Sequence, residues 1–185
     1  LIFGATGMLG RALYNEGKKR NLNIVGVSRS GPDYNIDLLN KNKITELINY
    51  LRPEIILNSA AIISHSLCEK DPKLAKAINS EAVSIISSSA NKTGAKLVQI
   101  STDNYFTGDG NKLHSETDPV KLLSNYSKTK FEGERFALNS VDAIVIRTNI
   151  TGFRTEETSL SFIEWIISAA KSKKRFVLFD DYYAS

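Results

Sequence analysis

Short apolar runs alternate along this chain with longer stretches of helical periodicity. Strands are predicted at 1–3, 24–27, 54–58, 97–100, 143–147 and 176–179, where mostly apolar residues stand together. Helices are predicted at 8–20, 41–51, 73–92, from 126 onward and around 162–167, where apolar residues recur at helical spacing. This regular alternation predicts an α/β fold, a doubly wound parallel sheet with helices on both faces.

The first predicted strand and helix are joined by a glycine-rich turn, GATGMLG at 4–10. Glycine lets the backbone approach a pyrophosphate closely at such a turn, because there is no Cβ to obstruct it. The following helix offers unpaired N–H groups and the positive end of its dipole to the phosphates. We therefore predict a Rossmann-like dinucleotide site, with incidental glycines in a tight turn as the alternative.

Residues after the second predicted strand indicate which dinucleotide is bound. Where NAD-binding folds place an acidic residue, this chain has Ser28 and Arg29. A guanidinium pairs with a 2′-phosphate, which a carboxylate would repel, so NADP is favoured, with NAD as the other option. The alternative for Arg29 is a solvent-facing loop side chain. Asp37 either caps the local backbone or bonds an adenine amino group.

The length and the ends of the chain indicate one domain with the start of another. Its 185 residues are 42% hydrophobic and 24% charged, as in a globular protein. We expect a NAD(P)-binding Rossmann domain at 1–147 and the start of a truncated substrate-binding region at 148–185. Because Leu1 opens inside a strand and Ser185 closely follows another, residues of a longer natural protein are expected to be missing from both ends.

Composition argues against several partners and locations. No apolar run approaches the roughly 18 residues that span a bilayer, so no membrane partner is expected. Cys68 is the only cysteine, which excludes an intrachain disulfide and favours a cytoplasmic location. Since His65 and Cys68 lack a second ligand pair, no metal is expected. The net charge is +4. The one dense basic cluster in the sequence is interpreted as a solvated helix end, not a nucleic-acid surface, and consists of Lys171, Lys173, Lys174 and Arg175.

Three polar residues suggest carbonyl chemistry. Tyr126 and Lys130 are four apart on a predicted helix, so both emerge on one face. An ammonium near a phenol lowers the phenol pKa, and such a tyrosine can exchange a proton with an alcohol or ketone. Thr102 follows the strand at 97–100, at the edge where open α/β sheets bind ligands, and can polarise a carbonyl. The spacing alone is common on exposed helices, but the glycine turn and Thr102 favour the catalytic interpretation.

Several motifs together resemble those of an extended short-chain dehydrogenase/reductase, and within that group the dTDP-4-dehydrorhamnose reductase family. They extend over nearly the whole chain: GATGMLG at 4–10, LRPEIILNSAA at 51–61, ISTDNYFTG at 100–108, ETD at 116–118, YSKTKFEGE at 126–134 and RT at 147–148. The STD segment and the helix motif are more typical of that family than of epimerases.

The resemblance implies that Thr102, Tyr126 and Lys130 form a catalytic triad. It also implies that the substrate lobe lies largely beyond position 185 and is mostly absent from this chain. NAD(P)H would deliver hydride to the 4-keto carbon of a nucleotide-linked 6-deoxysugar, and Tyr126 would donate the proton. Substrate-facing positions are Asp103, Asn104, Asn149 and Ile150, of which the last two replace the family's usual Ser-Trp. Cofactor-binding positions, with Ser28 added from its place beside Arg29, are Gly4, Thr6, Gly7, Met8, Leu9, Ser28, Arg29, Asp37, Leu38, Ala60, Ala61, Tyr126 and Lys130.

Two other functions stay open on the same scaffold. One is a sugar-nucleotide epimerase or dehydratase, which keeps its cofactor bound between turnovers. The other is a non-catalytic NADP-binding regulatory subunit, since the resemblance includes the regulatory subunit of methionine adenosyltransferase. The expected partner is a nucleotide-sugar substrate, and a homodimer is the oligomeric state to test.

Overall fold

The computed structural model describes residues 1–106, 113–153 and 160–172. The chain divides into two compact units, Leu1–Thr148 and Asn149–Ser185. The predicted strand at 176–179, the loop glycines at 108 and 110, and Lys173, Lys174 and Arg175 lie outside the described residues. The assignment of 1–147 to cofactor binding and of 148–185 to substrate binding stays a prediction.

The first unit is built on a sheet whose six described strands all run parallel. They pair in the order β3-β2-β1-β4-β5-β6. Because the order reverses between β1 and β4, the carboxyl ends of these strands border the crevice where doubly wound sheets bind ligands. The predicted fold class is confirmed. The strands are β1 (Ile2–Phe3), β2 (Gly26–Ser28), β3 (Tyr34–Asn35), β4 (Ile55–Asn58), β5 (Lys96–Ile100) and β6 (Ala143–Ile146).

Helices cover both faces of this sheet. Helices α2, α5 and α6 pack side by side on one face. Helix α1 connects β1 to β2, on the other side of β1 from β4, and a right-handed connection in that direction places it on the opposite face. A π-helical turn, Ala77–Glu81, joins α4 to α5. The helices are α1 (Met8–Lys19), α2 (Lys41–Leu51), α3 (His65–Lys70), α4 (Pro72–Lys76), α5 (Ala82–Thr93), α6 (Asn125–Ala137) and, in the second unit, α7 (Phe162–Ser172).

The core lies between the central strands and the helices on the α2 side. Phe3, Val27, Ile56 and Leu97 of four neighbouring strands are buried in one cluster with Ile86 of α5. Full burial of an apolar side chain of this size stabilises the fold by roughly 1.5–3 kcal/mol. These contacts hold the strand ends that carry the candidate site.

The region 65–93 departs from the single long helix predicted at 73–92. Asp71 accepts a hydrogen bond from Leu74 N at 2.9 Å and so begins a separate short helix at Pro72. A π-helical turn follows where α6 approaches: a Cβ on Gly133 would overlap the backbone carbonyl of Asn79. The six-residue α3 and two-residue β3 were also missed, because elements this short carry no readable periodicity.

Candidate functional site

The fold requires glycine at two of the three positions in the first turn, whereas the third glycine leaves open space because it has no Cβ. Gly4 has φ +81°, and a Cβ on it would lie 2.7 Å from Ala60 N. A Cβ on Gly10 would overlap the Gly4 carbonyl oxygen. Gly7 has φ −70°, and the nearest neighbour of a Cβ there would be Gly4 O, at 3.3 Å.

The start of α1 has the features of an anion site. Gly7 caps the helix without a side-chain hydrogen bond, and the first turn, which contains Met8 and Leu9, has no acidic residue. The positive end of the helix dipole therefore faces the open side of the glycine turn. Thr6 Oγ1 donates to Ser28 Oγ at 3.0 Å, which joins the ends of β1 and β2. These residues fit a dinucleotide pyrophosphate.

Arg29 is exposed immediately after β2. Within 1–106, 113–153 and 160–172, no ion pair engages it. The nearby Asp33 is held instead by the loop, where its carboxylate accepts from Gly26 N at 2.7 Å and from the Tyr14 hydroxyl at 3.2 Å. The guanidinium is thus available to an anionic ligand.

Asp37 and Leu38 have local structural roles before α2. Asp37 Oδ1 accepts from Leu39 N at 2.9 Å, while the cap of α2 itself is Asn40, whose Oδ1 accepts from Lys43 N at 3.1 Å. Leu38 is 8% exposed and lies in the main core. The contacts of Asp37 with adenine and of Leu38 with the cofactor stay predictions.

Buried amides shape the backbone that follows β4. Asn58 Nδ2 donates to Gln99 Oε1 at 2.8 Å, and Asn58 Oδ1 accepts from Ala60 N at 3.2 Å. Ala60 and Ala61 are half-buried and small, which leaves room for a flat ligand at the sheet edge.

Asn79, which sequence reasoning missed, fixes the next residues of that segment. Its Oδ1 accepts from Ile62 N at 2.8 Å, and its Nδ2 donates to Ile62 O at 3.0 Å and to Thr129 Oγ1 at 3.3 Å. The π-helical turn thus connects the loop after β4 to α6. A lone asparagine inside a predicted helix gives no sequence signal of such a role.

The structure brings Thr102, Tyr126 and Lys130 together at the carboxyl end of β5. They are 3%, 7% and 5% exposed, respectively. The side chains of Thr102 and Tyr126 lie near each other, and Lys130 Nζ donates to Ile100 O at 2.7 Å. A reciprocal cap at Ser124 starts α6 just before the tyrosine.

The expected lowering of the Tyr126 pKa by Lys130 was wrong. Burial raises the pKa of Tyr126, the nearby Thr102 side chain opposes this, and Asp103 and Cys68 raise it further. Burial also lowers the pKa of Lys130 to about 8, against the opposing effect of Glu134. The spacing argument failed because it left out desolvation, which is the largest effect on both groups.

The burial of Lys130 is expected to make the stability of the ligand-free protein pH-dependent. Its pKa is about 8 when folded, below its ordinary value of 10.5, so the unfolded chain binds more protons between these values and stability rises with pH. From about pH 7 to 9.5, wild type should gain about 2 kcal/mol of unfolding free energy relative to Lys130→Met. Urea unfolding of both proteins at the two pH values measures this gain, and identical pH responses would contradict it.

The residues after Thr102 turn back on its hydroxyl. Thr102 Oγ1 accepts from Asn104 N at 3.2 Å and from Asn104 Nδ2 at 3.4 Å. Asp103 accepts from Tyr105 N through its backbone carbonyl at 2.6 Å. Asp103 and Asn104 are therefore adjacent to the Tyr126 site, and their contact with substrate stays a prediction.

An ion pair beneath this loop was also missed by sequence reasoning. Arg147 Nη2 donates to Glu134 Oε2 at 2.8 Å, and its Nη1 donates to Glu116 O at 3.2 Å. The Glu134 side chain is 3% exposed. The guanidinium also lies 5.1–6.0 Å from the ring centroids of Tyr105, Phe106 and Phe131. This cluster joins the end of β6, helix α6 and the loop that carries Thr102.

Asn149 and Ile150 are exposed and belong to the second unit, and their role towards substrate stays a prediction. In the described ranges, no three histidine, cysteine, aspartate or glutamate residues gather as metal ligands. Nor does any described helix have the length and apolar character needed to cross a bilayer.

Known proteins resemble this chain along its whole length. The family model for the RmlD substrate binding domain matches residues 1–185. The dTDP-4-dehydrorhamnose reductase of Salmonella typhimurium is 30% identical over 193 residues, which cover 100% of this chain and 61% of that enzyme. Methionine adenosyltransferase 2 subunit beta of Bos taurus is 36% identical over 151 residues, 80% of this chain and 45% of that protein. The chain therefore spans about three fifths of the reductase and less than half of the subunit.

A solved structure supports the same relationship. The dTDP-4-dehydrorhamnose reductase of Bacillus anthracis, in complex with NADP, matches with a TM-score of 0.81 at 26% identity, over 94% of this chain and 60% of that one. The resemblance seen in the sequence motifs is confirmed. Since a family model matches every residue and a reductase is 30% identical across the whole chain, this protein belongs to the RmlD substrate-binding-domain family, that of the dTDP-4-dehydrorhamnose reductases.

Proposed function

We propose that the full-length protein is an NADPH-dependent reductase of a nucleotide-linked 4-keto-6-deoxysugar. The observation that carries this proposal is the cluster of Thr102, Tyr126 and Lys130 at the carboxyl end of β5. Two strands away in the same sheet lies the glycine turn, whose open side fits a pyrophosphate. The reductase relatives of this chain add support for the sugar substrate.

In this proposal the chain's own residues bind the cofactor and supply the proton. The start of α1 at Gly7 holds the pyrophosphate, and Ser28 and Arg29 hold a 2′-phosphate. NADPH, when bound, supplies hydride to the carbonyl carbon. Tyr126 donates a proton to the carbonyl oxygen, and its raised pKa keeps it in the protonated form at neutral pH.

Thr102 and Lys130 support this proton transfer. The Thr102 hydroxyl lies near the Tyr126 hydroxyl, where it can polarise the same carbonyl oxygen. Lys130 is held by Ile100 O at the same strand end, where its ammonium can bond the nicotinamide ribose and favour the phenolate left after transfer. Asp103 and Asn104, on the adjacent turn, contact the sugar.

Exchanging one glycine at a time separates cofactor binding from folding. Gly7→Ala is expected to weaken NADPH binding tenfold or more, about 1.4 kcal/mol, while the melting temperature changes little, because the new Cβ needs only a small shift of Gly4 O. Gly10→Ala is the matched control and should destabilise the fold by about 1–3 kcal/mol through overlap with Gly4. NADPH titration and thermal melting measure both effects. Unchanged NADPH affinity in Gly7→Ala would contradict the assigned phosphate site.

A second candidate is a non-catalytic nucleotide-binding subunit. The specific observation behind it is the 36% identity to methionine adenosyltransferase 2 subunit beta over 80% of this chain. The buried Thr102, Tyr126 and Lys130 cluster favours the reductase, because a subunit without chemistry has no need of a proton donor there.

Turnover by the full-length protein tests the proposal. Nucleotide-linked 4-keto-6-deoxysugars should each be offered with NADPH and with NADH, and cofactor consumption should be recorded. We expect net NADPH consumption with one of them and a preference for NADPH over NADH. Turnover without net consumption would instead indicate an epimerase or dehydratase. No turnover, together with binding to a methionine adenosyltransferase catalytic subunit, would indicate the second candidate.

A further inference from the structure

His65 lies directly against the proposed proton donor. Its imidazole centroid is 4.6 Å from the Tyr126 ring centroid, and the two ring planes are tilted by 44°. The other neighbours of Tyr126 in this cluster are the apolar Cys68, Ala75 and Ile62. His65 thus provides a polar aromatic ring that packs against Tyr126, and unlike those residues it is exposed to solvent.

The position of His65 is set by the same elements that set Tyr126. It is the first residue of α3, and Ser64 caps this helix by accepting from Leu67 N at 3.2 Å. Helix α3 is bound to the start of α6 through Glu69, which accepts from Asn125 N at 2.7 Å and from Asn125 Nδ2 at 2.6 Å. Since Asn125 directly precedes Tyr126, the two rings are held as a pair.

The imidazole has hydrogen-bonding capacity that the described protein atoms do not use. Among the described residues, none hydrogen-bonds to either ring nitrogen of His65. A neutral imidazole offers one donor and one acceptor. An aromatic ring that only covered the tyrosine would need neither.

We propose that His65 is a substrate-binding residue whose imidazole hydrogen-bonds the sugar hydroxyl on the carbon beside the reacting carbonyl. This inference rests on the proposed function. A carbonyl oxygen must come within about 2.6–3.2 Å of the Tyr126 hydroxyl to receive its proton. The hydroxyl group on the carbon next to that carbonyl then lies within reach of the ring that covers Tyr126. His65 thereby selects substrates with a polar group beside the carbonyl.

The test uses full-length enzyme, NADPH and a 4-keto-6-deoxysugar nucleotide that the wild type reduces. His65→Phe keeps an aromatic ring on Tyr126 but removes the hydrogen bond. It should raise the KM for the sugar about 3- to 10-fold, with kcat and NADPH affinity near wild type, because the contact is made equally in ground and transition states. His65→Gln, which retains donor and acceptor groups, should recover part of the loss. Lys70→Gln, exposed on the same helix, is the control and should match wild type.

Three results would overturn the inference. One is a wild-type KM in His65→Phe, which would mean that the ring only packs on Tyr126. Another is an equal rise of KM in Lys70→Gln, which would point to damage to α3. The third is a wild type that reduces no 4-keto sugar; that result removes the proposed function and His65's role with it, and is recognised before any variant is made.

Discussion

Tyr126→Phe is expected to lower kcat by about 10²- to 10⁴-fold, because in the proposed reaction it removes the group that donates the proton to the carbonyl oxygen. The phenyl ring still fills the pocket beside His65 and Cys68. The Thr102 hydroxyl left behind keeps its hydrogen bonds from Asn104. NADPH affinity and melting temperature should therefore stay close to wild type while turnover is lost.

Steady-state rates with the sugar substrate, NADPH titration and thermal melting together measure this result. Tyr50→Phe is the matched control, because Tyr50 is 78% exposed on the outer side of α2 and should tolerate the change at full activity. Should Tyr126→Phe retain near wild-type kcat, Tyr126 is not the proton donor. If it retained the biological activity while Gly7→Ala lost it, a nucleotide-binding subunit without catalysis would be the better description.

Arg147→Met is expected to destabilise the protein by about 3 kcal/mol, because it removes the guanidinium that pairs with the buried Glu134 carboxylate. The cost is larger than that of an exposed ion pair for a physical reason. Glu134 is 3% exposed and Arg147 20%, so water cannot take over the lost interactions. The guanidinium also packs against three aromatic rings, whose contacts the variant weakens.

Urea unfolding of Arg147→Met, Glu134→Leu and the double variant measures this pair. The double variant should lose less than the sum of the single variants, since an apolar pair of similar volume avoids the lone buried charge. Lys41→Met is the control, because its ion pair with Glu81 is 49% and 42% exposed and should contribute at most about 1 kcal/mol. Equal losses in Arg147→Met and Lys41→Met would show that the buried pair has no special role.

Arg147→Met should also affect the reaction. Tyr105, which packs against the guanidinium, lies two residues past Asp103 in the loop that carries Thr102. A looser loop would displace Thr102 from its place beside Tyr126, and under the proposed mechanism kcat should fall together with stability. Activity measured well below the melting temperature separates this effect from simple unfolding.

Much of the candidate site could be predicted from short segments of the amino-acid sequence. Three features could be interpreted from neighbouring residues alone: the glycines at 4, 7 and 10, the arginine after β2 and the tyrosine–lysine spacing on α6. The alternation of strands and helices predicted the fold class for the same reason, since periodicity reports which face of each element is buried. The motif resemblance added the family.

Contacts between residues far apart in the chain could not be predicted from such local patterns. Asn79 meets Ile62 and Thr129, Glu69 meets Asn125, and Arg147 meets Glu134, and none of these pairs is close enough in sequence to produce a pattern. The different duties of the three glycines also depend on tertiary contacts, because they follow from the distance of each missing Cβ to other backbone atoms.

The pKa values show most clearly which properties the sequence predicts and which depend on the folded structure. Spacing placed an ammonium near a phenol and so predicted a lowered tyrosine pKa, yet folding buries both groups and moves the pKa of Tyr126 up and that of Lys130 down. The residue types and the fold class were thus determined by local sequence, through glycine conformation and hydrophobic periodicity. The protonation of the site, its neighbour His65 and the support of its loop were decided only by tertiary structure, because desolvation and long-range contacts exist only once the chain has folded.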